Sequence, residues 1–137
     1  MSEPANIALA RRFYESHMAP DVLADIIAPD VIWDITPGWP ISGVYHGWDV
    51  VAQNFFGEMM PNYASFGAVA EEYFADNDNH VFVLGHYHVE TTNDNTVDVR
   101  FIHLWTARDG QLVRLRQAAD SYVLRQAVSP GSPVGLH

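Results

Sequence analysis

A chain of 137 residues without an internal repeat fits a single domain, which buries about two-thirds of the surface that the unfolded form would expose. Seventeen Asp and Glu against 7 Lys and Arg give a formal charge of -10, which argues against nucleic acids and anionic membranes as partners, because both require a basic surface. The sequence has no cysteine, so disulfides, thiol catalysis and cysteine-bound zinc are also excluded.

The N-terminal half of the chain has mainly helical periodicity. Apolar residues predict a helix from Ala5 to about His17, a short second helix within PDVLADIIAP and a third within WDVVAQNFFGEMM. The segment DVIWDI predicts a strand, and the Pro- and Gly-rich segment TPGWPISGVYHG after it predicts a loop. No long apolar run resembles a signal peptide or a membrane span, so we expect a cytoplasmic protein.

The C-terminal half alternates between apolar and polar residues, as strands do. Four strands are predicted, in ASFGAVAEEYFADN, HVFVLGHYHVETT, TVDVRFIHLWTAR and QLVRLRQAAD, followed by a helical turn in SYVLRQAV. The order α-α-β-α-β-β-β-β predicts an α+β fold with helices against one face of an antiparallel sheet. We expect one domain over residues 1–128 and a flexible tail over 129–137.

Alternation along TVDVRFIHLWTAR places His103 on the buried face of its strand. A three-residue loop in ARDGQ pairs Ala107 with Gln111, which sets His103 opposite Leu115 and Phe101 opposite Gln117. In the preceding hairpin we expect Gly85 opposite His103, and a glycine there leaves room for a cavity.

The segment PDVIWDI...PG...G.YHG...V..NFF and the ending DGQLVRLRQAAD resemble the nuclear transport factor 2-like superfamily, nearest its SnoaL-like and ketosteroid isomerase-like branches. The resemblance covers about residues 5–128. It implies a cystatin-like fold, in which three N-terminal helices and a curved antiparallel sheet form a conical pocket.

The resemblance also assigns four candidate catalytic residues. Asp34 matches the proton-transferring aspartate of the isomerases, and His103 lies at or beside the position of their second, protonated aspartate. Tyr14, or Phe13 depending on a short gap, matches their oxyanion-hole tyrosine. Asp120 looks like the acidic residue after the last strand of SnoaL-like polyketide cyclases.

Each candidate has an alternative structural role. His103 is either a core histidine bonded to protein or a residue that faces a ligand; we expect the second, so that His103→Leu would preserve stability. Gln117 on the same face needs a partner as well. Asp34 is either a base or a turn former, Asp120 is either catalytic or the N-cap of the last helix, and Tyr14 belongs to the core with its hydroxyl at the pocket.

The remaining expectations concern ligand, metal and partner. The predicted ligand-binding side chains are Gln117, Phe55, Phe101, Trp105, Leu115, Trp39 and Trp48, the two last from a loop that would cover the pocket. His86 and His88 share the outer face without a third ligand, so we expect no metal and no cofactor. Phe82, Leu84, Ile102 and Leu104 form an outer apolar patch that predicts a homodimer packed through its sheets.

The predicted function is therefore the binding of a small apolar compound, with neither nucleic acid nor membrane as a partner. The resemblance extends this to a cofactor-independent isomerase or cyclase that transfers protons on a carbonyl compound. The alternative is a non-catalytic ligand-binding or dimeric interaction module. An epoxide hydrolase, in which carboxylates activate water, ranks below both.

Overall fold

A computed structural model describes residues 3–76 and 78–128, and the predicted flexible tail lies outside these residues. The N-terminal helices are α1 (Ala5–Glu15) and α2 (Pro20–Ile26). The third predicted helix is irregular: α3 (Trp48–Val50) continues as the π-helix Val51–Phe56, then as α4 (Gly57–Met59) and the 3-10 turn Met60–Asn62. The last helix is α5 (Ser121–Val128).

Six strands form one curved, open sheet in the order β2-β1-β6-β5-β4-β3. They are β1 (Ile27–Ile35), β2 (Gly43–His46), β3 (Tyr63–Ala75), β4 (His80–Thr91), β5 (Thr96–Arg108) and β6 (Gln111–Ala119). All neighbours are antiparallel except β1 and β6, which are parallel. The predicted α+β fold with a cystatin-like sheet is confirmed, and β2 is an addition to the segment predicted as a loop.

The expected register of the β5–β6 hairpin was wrong. Arg108 pairs with Gln111 across a two-residue turn, in which Asp109 and Gly110 both have positive φ, as a type I′ hairpin requires. A β-bulge follows, because Thr106 pairs with Arg114 while Ala107 pairs with Leu112, which leaves Val113 as an extra residue in β6.

The bulge restores the facing that a simple two-residue turn would have reversed. His103 therefore pairs with Gln117 and Trp105 with Leu115, and all four side chains are buried on the inner face. Phe101 pairs with Ala119 rather than with Gln117.

The expected partner of Gly85 was wrong by two residues. Gly85 pairs with Phe101, and Val83 lies opposite His103. A Cβ at Gly85 would stand 2.1 Å from the carbonyl oxygen of Val69 and 2.9 Å from the ring of Phe101. Glycine is needed here because β3 is irregular between Ala70 and Glu72 and its backbone approaches β4 closely.

The inner face of the sheet and the helices that cover it share one hydrophobic core. From the helices come Phe13, Leu23, Phe55 and Leu124, and from the sheet Trp33 and Trp105, which pack edge to face 5.5 Å apart. Over the described residues, none of the helices combines the length and apolar character needed to cross a bilayer.

Candidate functional site

A cavity of about 320 Å³ lies between the inner face of the sheet and the helices. Its walls are mainly aromatic, aliphatic and Met side chains; they include Phe13, Trp33, Ile35, Trp39, Phe55, Phe56, Met59, Phe66 and Leu115. One end reaches the surface at His17, Met18 and Met60. Four buried polar side chains are grouped around His103 and form the polar end of the cavity, namely Tyr14, Tyr87, His103 and Gln117.

His103 is held between two phenols. Its Nδ1 lies 2.6 Å from the hydroxyl of Tyr14, and its Nε2 lies 2.6 Å from the hydroxyl of Tyr87. The imidazole also stacks on the ring of Phe101, with ring centres 3.8 Å apart and planes 8° from parallel. The expectation that a ligand rather than the protein supplies the partners of this histidine is therefore wrong, although His103 does line the cavity.

Each phenol has a second partner, which extends the chain of hydrogen bonds. The indole Nε1 of Trp105 donates to the Tyr14 hydroxyl at 2.8 Å, and Nε2 of Gln117 donates to the Tyr87 hydroxyl at 2.6 Å. Gln117 Oε1 accepts from the backbone N–H of Thr36 at 3.3 Å, which fixes the orientation of its amide. The resulting chain is Trp105–Tyr14–His103–Tyr87–Gln117, named the polar chain below.

Burial controls the charge of the polar chain. Removal from water disfavours the charged imidazolium and lowers the pKa of His103 from 6.5 to about 3, so the ring is neutral at physiological pH. The same effect raises the pKa values of Tyr14 and Tyr87 well above 10, the ordinary value for tyrosine, so both phenols keep their hydrogens. The polar end of the cavity is therefore uncharged.

Trp39 adds an unsatisfied donor at the same end. Its ring centre lies 5.5 Å from that of Tyr87, and only 1% of its surface is exposed. Its indole nitrogen is buried and has no hydrogen-bond partner within residues 3–76 and 78–128. A buried N–H without an acceptor is unfavourable by about 1–3 kcal/mol.

Asp34 is not in the cavity, contrary to expectation. Trp33 and Ile35 face inward, so the alternation of β1 turns Asp34 to the outer face, where its carboxylate lies 3.8 Å from both Arg114 and Arg116. Apolar walls do not surround it.

Asp120 also lies outside the cavity. It precedes α5, and its Oδ1 accepts the backbone N–H of Val123 at 3.1 Å. This is the N-cap arrangement that the sequence left open as the alternative to catalysis.

The predicted ligand-binding residues divide into two groups. Phe55, Leu115, Gln117 and Trp39 line the cavity. Phe101, Trp105 and Trp48 stand behind its wall: Phe101 under His103, Trp105 behind Tyr14, and Trp48 against Trp33 at 5.7 Å.

Sequence reasoning missed Tyr87 as a site residue. It shares the inward parity of Val83 and Val89 in β4, so its facing was readable, but its contact with His103 depends on the register of β4 against β5. Trp33 was also missed, although the alternation of β1 indicates that its side chain faces inward.

His86 and His88 lie on the outer face as expected. His86 contacts Glu71 at 2.8 Å, and His88 contacts Asp98 at 2.8 Å. In the part of the chain that the structure describes, no three His, Asp or Glu side chains are grouped so as to hold a metal ion.

The fold and the site define a class, the small α+β pocket proteins. In this class a curved sheet and its covering helices enclose an apolar cavity with a polar end. Residues 10–115 match the model of the SnoaL-like domain, and the chain belongs to that family, within the nuclear transport factor 2-like superfamily. No curated protein matches the sequence.

Solved structures share the fold over nearly the whole chain. One is a nuclear transport factor 2-like protein of unknown function from Burkholderia pseudomallei, 25% identical, with a TM-score of 0.81 over 93% of this chain and 99% of its own. A second is TerC, co-crystallized with polyporic acid, 21% identical, with a TM-score of 0.80 over 91% and 98%. A third is a putative SnoaL-like polyketide cyclase from Jannaschia, 18% identical, with a TM-score of 0.77 over 95% and 97%.

Proposed function

We propose that the protein binds a mostly apolar small molecule in this cavity, with an oxygen atom of the molecule at the polar chain. The observation that carries the proposal is the composition of the walls: they are mostly apolar, and the buried polar side chains among them are joined to one another by hydrogen bonds. A volume of about 320 Å³ lies at the lower limit of ligand pockets. A compound of two or three fused rings is of a size that fits this volume.

The test is to fill the cavity. Ala68 lines it, whereas Val69, the next residue of β3, lies on the outer face and is 42% exposed. Ala68→Trp is expected to abolish the binding of the three-ring hydrocarbon fluorene, followed by tryptophan fluorescence, because the indole occupies the ligand's space. Val69→Trp adds the same side chain outside the cavity and is expected to leave binding unchanged.

Circular dichroism of both variants checks that the fold is retained. Equal fluorene affinity in Ala68→Trp and in the unmodified protein would contradict the proposal, as would the absence of binding in the latter.

A cofactor-independent isomerase or cyclase is the second candidate. It is supported by the polar chain, because linked phenol and imidazole groups polarise a bound carbonyl. Deuterium uptake at the α-carbon of 2-tetralone in D₂O tests it. Exchange that is faster than in buffer and is lost in Tyr87→Phe, which breaks the polar chain, supports catalysis; no acceleration leaves binding as the function.

Epoxide hydrolysis receives no support from the site. That reaction needs a carboxylate that activates water, and both candidate carboxylates, Asp34 and Asp120, lie away from the cavity.

We also propose that two copies pack through the outer face of the sheet. Phe82 and Leu104 are paired across β4 and β5, next to the pair Leu84 and Ile102, and Phe74 of β3 extends the patch. Phe74, Phe82 and Ile102 are 52%, 39% and 45% exposed in the single chain. An apolar patch of this extent is typical of an interface.

A further inference from the structure

The positions of the hydrogens in the polar chain determine which kind of ligand atom can bind to it. Both ends of the polar chain are fixed donors. The indole nitrogen of Trp105 can only donate, and the Gln117 amide is oriented by the Thr36 N–H, which its oxygen accepts. Each phenol oxygen therefore already accepts one hydrogen bond from outside the Tyr14–His103–Tyr87 triad.

The Tyr14–His103–Tyr87 triad contains more donor hydrogens than its internal hydrogen bonds require. The two links from His103 to the phenols need one hydrogen each. Three hydrogens are available, one on each phenol and one on the neutral imidazole. One phenolic O–H is consequently left without an acceptor in the triad.

The position of the imidazole hydrogen decides which phenol has the free O–H. If Nδ1 is protonated, it donates to Tyr14, Tyr87 donates to Nε2, and the O–H of Tyr14 is free. If Nε2 is protonated, it donates to Tyr87, Tyr14 donates to Nδ1, and the O–H of Tyr87 is free. Neutral imidazole intrinsically favours the Nε2–H form.

A second observation points to the Tyr87 end. The ring of Trp39, whose buried indole N–H has no partner among the described residues, packs against the ring of Tyr87 with ring centres 5.5 Å apart. An acceptor atom beside the Tyr87 hydroxyl satisfies the donor that the Nε2–H form leaves free. Binding there holds His103 in the Nε2–H form.

We propose that Tyr87 is the residue that hydrogen-bonds the ligand, and that the ligand presents a carbonyl or comparable acceptor oxygen, with His103 in the Nε2–H tautomer. This inference rests on the proposed function and specifies its ligand class. It moves the ligand contact from Tyr14, which the family resemblance assigns, to a residue 73 positions further along the chain.

The tautomer is measured first, without a ligand. Long-range ¹H–¹⁵N spectra of histidine-labelled protein distinguish a protonated Nε2 from a protonated Nδ1, and the His103 signals are assigned by their loss in His103→Gln. The expected result is protonation at Nε2. Protonation at Nδ1 would overturn the inference, because the free O–H would then belong to Tyr14.

The donor is identified with two probes of equal shape, 9-fluorenone, which has a carbonyl oxygen, and fluorene, which does not. The unmodified protein is expected to bind fluorenone about tenfold more tightly, since only the ketone satisfies the buried donor. In Tyr87→Phe this preference is expected to fall to about one, and the C=O stretching frequency of bound fluorenone to rise towards its value in an apolar solvent. Trp39→Phe is expected to reduce the preference in part.

The control is Tyr63→Phe, which removes the hydroxyl of another buried tyrosine that is not among the cavity residues and is expected to keep the preference. If fluorenone and fluorene bind equally well, the inference fails together with the placement of a ligand oxygen at the polar chain, while the binding of an apolar compound in the cavity stands. If neither binds, the proposed function fails. Loss of the preference in Tyr14→Phe together with its retention in Tyr87→Phe would also overturn the assignment.

Discussion

Replacement of His103 by leucine is expected to destabilise the protein, because the imidazole bridges two buried phenols. His103→Leu removes both 2.6 Å hydrogen bonds, which together stabilise the fold by about 1–3 kcal/mol at the usual net value for neutral pairs. It also removes the stacking on Phe101, for which about 0.5–1.5 kcal/mol is typical of aromatic pairs. The more apolar leucine offsets part of this loss.

The expected net loss is about 1–3 kcal/mol, equivalent to a melting temperature lower by roughly 4–12 °C for a domain of this size. Urea unfolding followed by tryptophan fluorescence, with thermal unfolding followed by circular dichroism, measures both quantities. A variant as stable as the unmodified protein would refute the reasoning, and it would support the earlier expectation that a ligand satisfies the imidazole.

A double-mutant cycle separates the hydrogen bond from general packing effects. Tyr14→Phe removes one of the two links while keeping the aromatic ring. If the link is present, Tyr14→Phe combined with His103→Leu is expected to lose less stability than the sum of the two single losses. Strict additivity would show that the hydroxyl and the imidazole do not interact.

Three further predictions concern the pKa of His103, the N-cap of α5 and the outer face of the sheet. Burial lowers the pKa of His103 to about 3 in the folded chain, whereas the unfolded chain takes up this proton near pH 6.5. The free energy of unfolding is therefore expected to fall as the pH drops below 6.5, by up to about 1.4 kcal/mol per pH unit. Unfolding at pH 7 and pH 4.5 checks this, and equal pH dependence in His103→Gln would contradict it. Asp120→Ala is expected to cost about 0.5–2 kcal/mol through loss of the N-cap bond to Val123 while fluorene affinity stays unchanged, whereas a loss of affinity would show that Asp120 acts at the site. Leu104→Asp is expected to convert a dimer to a folded monomer in sedimentation, and a monomeric unmodified protein would exclude the sheet-packed dimer.

The periodic parts of the chain were predictable because burial imposes a period on the sequence. Helical spacing located α1 and α2, and alternation located four long strands and the inner facing of His103 and Gln117. The strand β2 was missed because Gly43–His46 lies within a Pro- and Gly-rich segment and three of its four residues are exposed. A short edge strand without a buried face carries no such pattern.

The misplacement of Asp34 has a different cause. Alternation in VIWDI already puts Trp33 and Ile35 on one side and Ile32 and Asp34 on the other, but the family resemblance assigned Asp34 to the pocket. The outer arginines of β6 complete the explanation, since parallel pairing places Asp34 beside Arg116. Residue parity within this chain was the better guide.

The polar chain itself was beyond prediction from sequence because its partners are joined only by tertiary register. Tyr14 and His103 are 89 positions apart, and Gln117 reaches Tyr87 from 30 positions away. The extra residue Val113 decides which side chain of β6 meets His103. Without the bulge, the two-residue turn would place Arg116 opposite His103, which would bury a positive charge against an imidazole and turn Gln117 outward. The uncharged, hydrogen-bonding end of the cavity thus depends on one inserted residue in the neighbouring strand, and the tight turn at Asp109 and Gly110 is compatible with this site only because the bulge follows it.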